Sequence, residues 1–175
     1  MVIFMKIKHR RFLSKKEIKK LLSKITYKDL RSFFEKARSA EFALLDNDSG
    51  IISIEGTPSI IVLDPDFNKI VPHLAVIIYK KICVDLPYVI IDKGALPHIL
   101  NGADVMRPGV VEISEDIEKD QIVLIKEIDK KIPIALGIAL FDSKEIKNMS
   151  KGKIIKTLHY FKDNFWNIGK QLMTK

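Results

Sequence analysis

Asp92-Lys93-Gly94-Ala95-Leu96-Pro97-His98-Ile99-Leu100-Asn101-Gly102-Ala103-Asp104-Val105-Met106-Arg107-Pro108-Gly109 is the stretch that decides the fold. Its glycines, Gly94, Gly102 and Gly109, are eight and seven residues apart. Apolar residues fill the intervals, and a lone arginine precedes Pro108-Gly109. The pattern predicts a short helix over 94–100, closed by Gly102 in a left-handed conformation, then a strand over 103–106. Ile99, Val105 and Met106 are expected in a core. Asp92 and Asp104 are expected as caps or turn formers.

C-terminal to this stretch, short apolar runs predict strands near 110–113, 120–126, 132–141 and 153–160. A charged hairpin turn over 126–131 and a short helix over 143–149 fall between them. With a strand at 88–92, this is the signature of a small barrel. Toward the N-terminus, Val2–Lys8 reads as a strand. Ser14-Lys15-Lys16-Glu17 is a capping box, with Ile18, Leu21, Leu22 and Ile25 at helical spacing behind it. A second helix is expected from Thr26, burying Leu30, Phe33, Phe34 and Ala37. Strands follow over 41–46, 51–55 and 59–63, and Pro72 stands where a helix can begin. The fold class is therefore α+β. Residues 1–86 form an N-terminal α+β unit, the seam lies at 83–87, and residues 87–175 form the small barrel.

The chain has 175 residues, 47% of them hydrophobic and 30% charged, as in a soluble globular protein. No apolar run reaches the ~18 residues of a membrane span, and the start lacks the order of a signal peptide, so a cytoplasmic protein with no membrane partner is expected. The single cysteine, Cys83, is read as a packed small hydrophobe. The four histidines show no ligand spacing, and neither a metal site nor a cofactor is expected. No nucleophile elbow, Gly-rich cofactor loop or paired carboxylates are present, so no catalytic residue is assigned and the chain is not read as an enzyme. The net charge of +8 is concentrated: residues 1–40 carry 13 Lys/Arg against 3 Asp/Glu, the remainder 17 against 19. Such asymmetry points to an acidic partner, nucleic acid first.

The 92–109 stretch resembles the opening segment of a PUA domain, an RNA-binding barrel. The closest resemblance within that group is to the malignant T-cell-amplified sequence or translation-machinery-associated family and its archaeal stand-alone relatives. Lys69-Ile70-Val71-Pro72-His73-Leu74, Ile91-Asp92-Lys93-Gly94-Ala95, Asn101 through Gly109, and a tail running from Gly152-Lys153 through Leu158-His159-Tyr160 to Asp163 and Trp166 carry it. Two places depart from the family pattern, which has glycine where this chain has Asp120 and Lys162.

The resemblance implies an RNA-binding protein that contacts tRNA or rRNA on the small ribosomal subunit during initiation, reinitiation or recycling. Its candidate contacts are Lys93, Gly94, Ala95, His98, Asn101, Arg107, Pro108 and Gly109. Glycine admits close backbone approach, while Lys93 and Arg107 supply charge, Arg107 as a fixed guanidinium on a phosphate or base edge. Tyr160 and Trp166 are candidates for base stacking, against burial of the sole tryptophan. Arg10, Arg11, Lys15, Lys16, Lys19 and Lys20 make a secondary basic surface that would position an RNA without reading it. Two alternatives stand beside this reading: an adaptor docking a translation-factor protein partner through the N-terminal unit, and a subunit or relic of an RNA-modification enzyme.

Overall fold

The computed structural model describes residues 5–173, and they fall into two compact units. The first is a five-stranded antiparallel meander in the order β1-β2-β3-β4-β5, with strands Ile7–Phe12, Ala40–Leu45, Gly50–Ile54, Thr57–Val62 and Ile70–Pro72. Helices α1 (Lys15–Lys24) and α2 (Lys28–Glu35) lie between β1 and β2, and α3 (Leu74–Tyr79) follows β5. The capping box forms as expected: the Ser14 hydroxyl accepts from the Glu17 N–H, and the Glu17 carboxylate accepts from the Ser14 N–H. Leu21, Ile25, Leu30 and Phe34 are buried with Phe42, Ile52, Ile54, Ile60 and Val62, which alternate along the sheet and so share one face.

β1 begins later than the sequence suggested and takes in His9, Arg10 and Arg11. Charged residues on an edge strand discourage pairing with another chain. Residues 2–4 of the expected strand lie outside the described residues. Pro58 enters β4 at an irregularity in its pairing with β3, where a missing N–H is tolerated. Cys83 is exposed rather than packed.

The second unit, Leu86–Asp163, holds a six-stranded, barrel-like sheet in the order β7-β11-β10-β9-β6-β8. Its strands are β6 (Tyr88–Ile91), β7 (Val105–Met106), β8 (Val110–Ile113), β9 (Ile122–Glu127), β10 (Pro133–Ala139) and β11 (Lys153–Tyr160). All neighbours are antiparallel except β6 and β9. Helices α4 (Leu96–Leu100) and α5 (Ser143–Asn148) complete it, with Val89, Ile91, Ile99, Val105, Val123, Ile125, Ile154 and Ile155 in the core.

Residues 164–173 form a helix, α6 (Asn164–Met173), which the sequence reading assigned to the barrel. Its contacts lie with the first unit, on β3, β4 and α3. Phe165, Ile168 and Leu172 recur at helical spacing and are buried, and Trp166 is buried beside Tyr79. Gly169 lets this helix approach closely: a Cβ there would lie 2.9 Å from His73 Nε2. Among the described residues, no helix is long and apolar enough to cross a membrane.

Candidate functional site

The segment between β6 and β8 folds as one device. The Ala95 N–H donates to the Asp92 carboxylate at 2.8 Å, making a turn that leads into α4. The helix expected over 94–100 therefore begins two residues later, at Leu96, and is only five residues long. At its other end the Gly102 N–H donates to Ile99 O and the Ala103 N–H to His98 O, both at 3.0 Å. With Gly102 at φ +85°, this is a Schellman closure, as the sequence indicated. A Cβ on Gly102 would also meet the Tyr160 hydroxyl at 2.8 Å. The chain then crosses back through β7 and a 3₁₀ turn, Arg107–Gly109, which closes on the start of the segment. There the Asp92 N–H donates to Gly109 O at 2.9 Å, and a Cβ on Gly109 would lie 2.7 Å from Ala95 Cβ.

Between α4 and the returning strand lies a cleft of about 500 Å³, lined mainly by carbon. Gly94, Ala95, His98, Pro108 and Gly109, all named from the sequence, line it together with Asp92, Ile99, Ala103, Asp104 and Met106. Met106, expected in the core, is 49% exposed and forms part of the wall. In the two-residue β7, side chains alternate, so a buried Val105 turns Met106 outward.

Lys93, Asn101 and Arg107 do not line the cleft. Lys93 is exposed and pairs at 3.0 Å with Asp129, from the hairpin joining β9 to β10. Asn101 is exposed at the end of α4. Arg107 is engaged with backbone: its Nε donates to Ile146 O at 2.9 Å, near the end of α5, and its Nη1 to Val110 O at 3.1 Å. Through these two bonds the guanidinium, expected on a phosphate or base edge, ties α5 to the 3₁₀ turn. Asp104 is a cross-strand tie rather than a turn former, accepting from the Thr157 N–H at 2.8 Å and pairing with Lys153 at 2.6 Å. Burial pushes its pKa up, but Lys153, the Thr157 N–H and Lys156 together hold it below the usual aspartate value. The sequence reading gave Asp92 and Asp104 structural roles and left them out of the candidate site; both also line the cleft.

The basic surface divides in two. Arg10 makes a bidentate pair with Glu41 at 2.7 and 2.6 Å, and Arg11 one with Glu17 at 2.9 and 2.6 Å. The Arg11 hydrogen bond, assisted by those from Ser14 and the arginine's charge, lowers the Glu17 pKa to about 2 against the opposing effect of burial. Lys20 donates to Asp66 O at 2.6 Å. Lys15, Lys16 and Lys19 are exposed and carry no ion pair among the described residues. Nor, among those residues, does any group of three His, Cys, Asp or Glu side chains come together to hold a metal ion. Of the two stacking candidates, Trp166 is buried and Tyr160 packs against Gly102 and the barrel core.

Residues 87–161 match the family model of the PUA domain. MJ1432, an uncharacterized protein of Methanocaldococcus jannaschii, is 39% identical over 170 residues, covering 93% of this chain and 98% of its own. Translation machinery-associated protein 20 of Schizosaccharomyces pombe is 40% identical over 80 residues, 43% of this chain and 44% of that one. The crystal structure of the hypothetical protein PH0734.1 from Pyrococcus horikoshii superposes with a TM-score of 0.78 at 31% identity. It covers 92% of this chain and 99% of that one.

Proposed function

The chain belongs to the PUA-domain family that takes in MJ1432 and the translation machinery-associated and malignant T-cell-amplified sequence proteins, and we propose that it is an RNA-binding protein of the translation apparatus. In this reading it contacts tRNA or the small ribosomal subunit during initiation, reinitiation or recycling. The match spans less than half the length of the S. pombe protein, whose translation association is carried over here as part of the proposal.

The observation that carries the reading is the preformed cleft of about 500 Å³ between α4 and the 3₁₀ turn. Gly94, Ala95 and Gly109 keep its walls thin enough for a ligand backbone to approach. Its carbon lining suits the faces of unstacked bases, the usual target of sequence-selective RNA recognition. Asp92 carries no ion pair among the described residues, so it repels phosphate but suits base amino groups, and phosphates belong outside, near the exposed imidazole of His98. Lys15, Lys16 and Lys19 add salt-sensitive attraction from the first unit. Arg107 holds the wall of the cleft and touches no ligand in this scheme.

Co-sedimentation of the purified chain with small ribosomal subunits at low salt, alongside a tRNA gel shift, tests the proposal. Binding to at least one is expected, and failure of both overturns it. A second reading, an adaptor that docks a protein partner, draws on Tyr79 and Met173, apolar side chains left exposed by the first unit. Association with a defined partner that survives nuclease and high salt would favour that reading.

A further inference from the structure

Phe12 is the most exposed of the exposed large hydrophobic side chains described, at 72%, and it sits at the end of the edge strand β1. Its neighbours show how unusual that placement is. Leu13, Leu21 and Ile25 are buried, and Arg11 turns to the core side, its guanidinium over the Phe42 ring at 5.5 Å. By alternation, Phe12 points to the opposite face, directly across from Glu41 in the β1–β2 register. Glu41 is neutralised by Arg10, so no free carboxylate guards the ring. Lys15 and Lys16 follow within four residues and Lys19 one turn later, all exposed. The lysine and the arginines within the strand are taken: Lys8 by Asp48, Arg10 by Glu41, Arg11 by Glu17. A bare aromatic ring at the end of an edge strand, three residues ahead of the first of three unpaired lysines, offers the two elements that hold single-stranded nucleic acid, a ring to stack a base and cations to follow the backbone round the strand end.

We propose that Phe12 is a stacking platform for an unpaired base of RNA and that Lys15, Lys16 and Lys19 hold the flanking phosphates, giving the chain a second RNA contact in its first unit. The inference rests on the reading of the protein as RNA-binding. Charge decides for RNA over a protein surface: residues 1–40 hold 13 cationic side chains against 3 acidic ones.

The test titrates the full chain, Phe12→Ala, Phe12→Trp and the cleft variant Gly94→Glu with two fluorescently labelled probes. One is an unstructured RNA of about twelve nucleotides, within the ~4–16 nucleotides typical of single-strand sites. The other is a blunt RNA duplex of the same length. One base stack corresponds to a loss of about tenfold to a hundredfold for Phe12→Ala on the single strand. Phe12→Trp should retain affinity, and its new indole fluorescence should be quenched by the single strand. Duplex binding should stay within about twofold, since no base is offered to the ring. Lys16→Glu with Lys19→Glu should weaken both probes and lower the slope of log K against log salt on the single strand by ~1.4, about 0.7 per phosphate contact. If Phe12→Ala binds the single strand like the parent while Gly94→Glu does not, Phe12 holds no base and the RNA reading survives. If the parent binds neither probe, the stacking role is overturned, and the ribosomal-subunit and tRNA assays decide the RNA reading separately. If Phe12→Ala leaves both affinities intact but lowers the sedimentation mass, the ring belongs to a contact between copies of the chain, and the stacking role is overturned.

Discussion

Replacing Arg107 with methionine separates the two roles that an arginine before Pro-Gly can play. The guanidinium donates to Ile146 O at 2.9 Å and Val110 O at 3.1 Å, and Arg107→Met keeps much of the stem's packing while removing both donors. Hydrogen bonds from charged donors are worth about 1.5–3 kcal/mol each. Half-burial of the side chain puts this pair in the lower part of that range, so the loss is about 2–4 kcal/mol. For a unit of this size, that is a fall in melting temperature of about 10–20 °C. Arg107→Lys keeps the charge but not the fork, reaches one carbonyl at a time and recovers about half of the loss. Unfolding should be followed by far-UV circular dichroism together with amide exchange in β7 and α5, because the only tryptophan reports on the first unit. RNA affinity, measured well below the transition, should stay within about threefold of the parent, because the guanidinium touches no ligand. A variant that loses less than about 0.5 kcal/mol but binds RNA more than about tenfold more weakly would refute the reasoning, since the guanidinium would then face the ligand.

Asp120 and Lys162 have φ of +65° and +73°, in the left-handed region that favours glycine. Lys162→Gly should stabilise by about 0.5–1 kcal/mol, the left-handed strain relieved less the added chain entropy, and Asp120→Gly by less, because aspartate tolerates that region; urea midpoints check both. Gly102→Ala combines a left-handed φ with a Cβ 2.8 Å from the Tyr160 hydroxyl, and should cost at least about 2 kcal/mol in the same assay. Glu17, with its pKa lowered to about 2 chiefly by Arg11, contributes stability that is fully present above the ordinary glutamate value and is lost as pH falls through about 2. Glu17→Gln should therefore lower stability at neutral pH by about 1 kcal/mol, after solvent screening of a partly exposed pair, and flatten the acid limb of the stability curve.

Local features were legible in the sequence. The capping box at Ser14 and the closure at Gly102 form as read, because their partners lie within six residues. The strands of the barrel fall close to their expected spans. The direction of Arg107 was not legible, because one of its acceptors, Ile146 O, is 39 residues away. Met106 was misjudged by composition alone: its neighbour Val105 fills the core, and strand alternation turns the methionine out. The last helix carried a readable pattern in Phe165, Ile168 and Leu172, but periodicity says that a face is buried, not against which unit. Sheet order and long-range contacts decided that. The left-handed backbone at Asp120 and Lys162 is a property of their turns that side-chain type alone did not announce.

The central claim is that the cleft between α4 and the 3₁₀ turn receives RNA. Gly94 is exposed at the lining of the cleft, its φ is not in the left-handed region, and a Cβ there meets only Asp92 Oδ1 at 3.3 Å, a side-chain atom that can shift by a few tenths of an ångström, so a side chain at this position is tolerated by the fold at the cleft wall. The decisive measurement is the dissociation constant for tRNA of the parent chain against Gly94→Glu at one fixed salt concentration, with unfolding curves recorded for both. The account predicts a loss of about tenfold or more in affinity, with stability changed by less than about 1 kcal/mol, as a carboxylate placed against RNA at a surface site would produce. Equal affinities for the two folded proteins would contradict it.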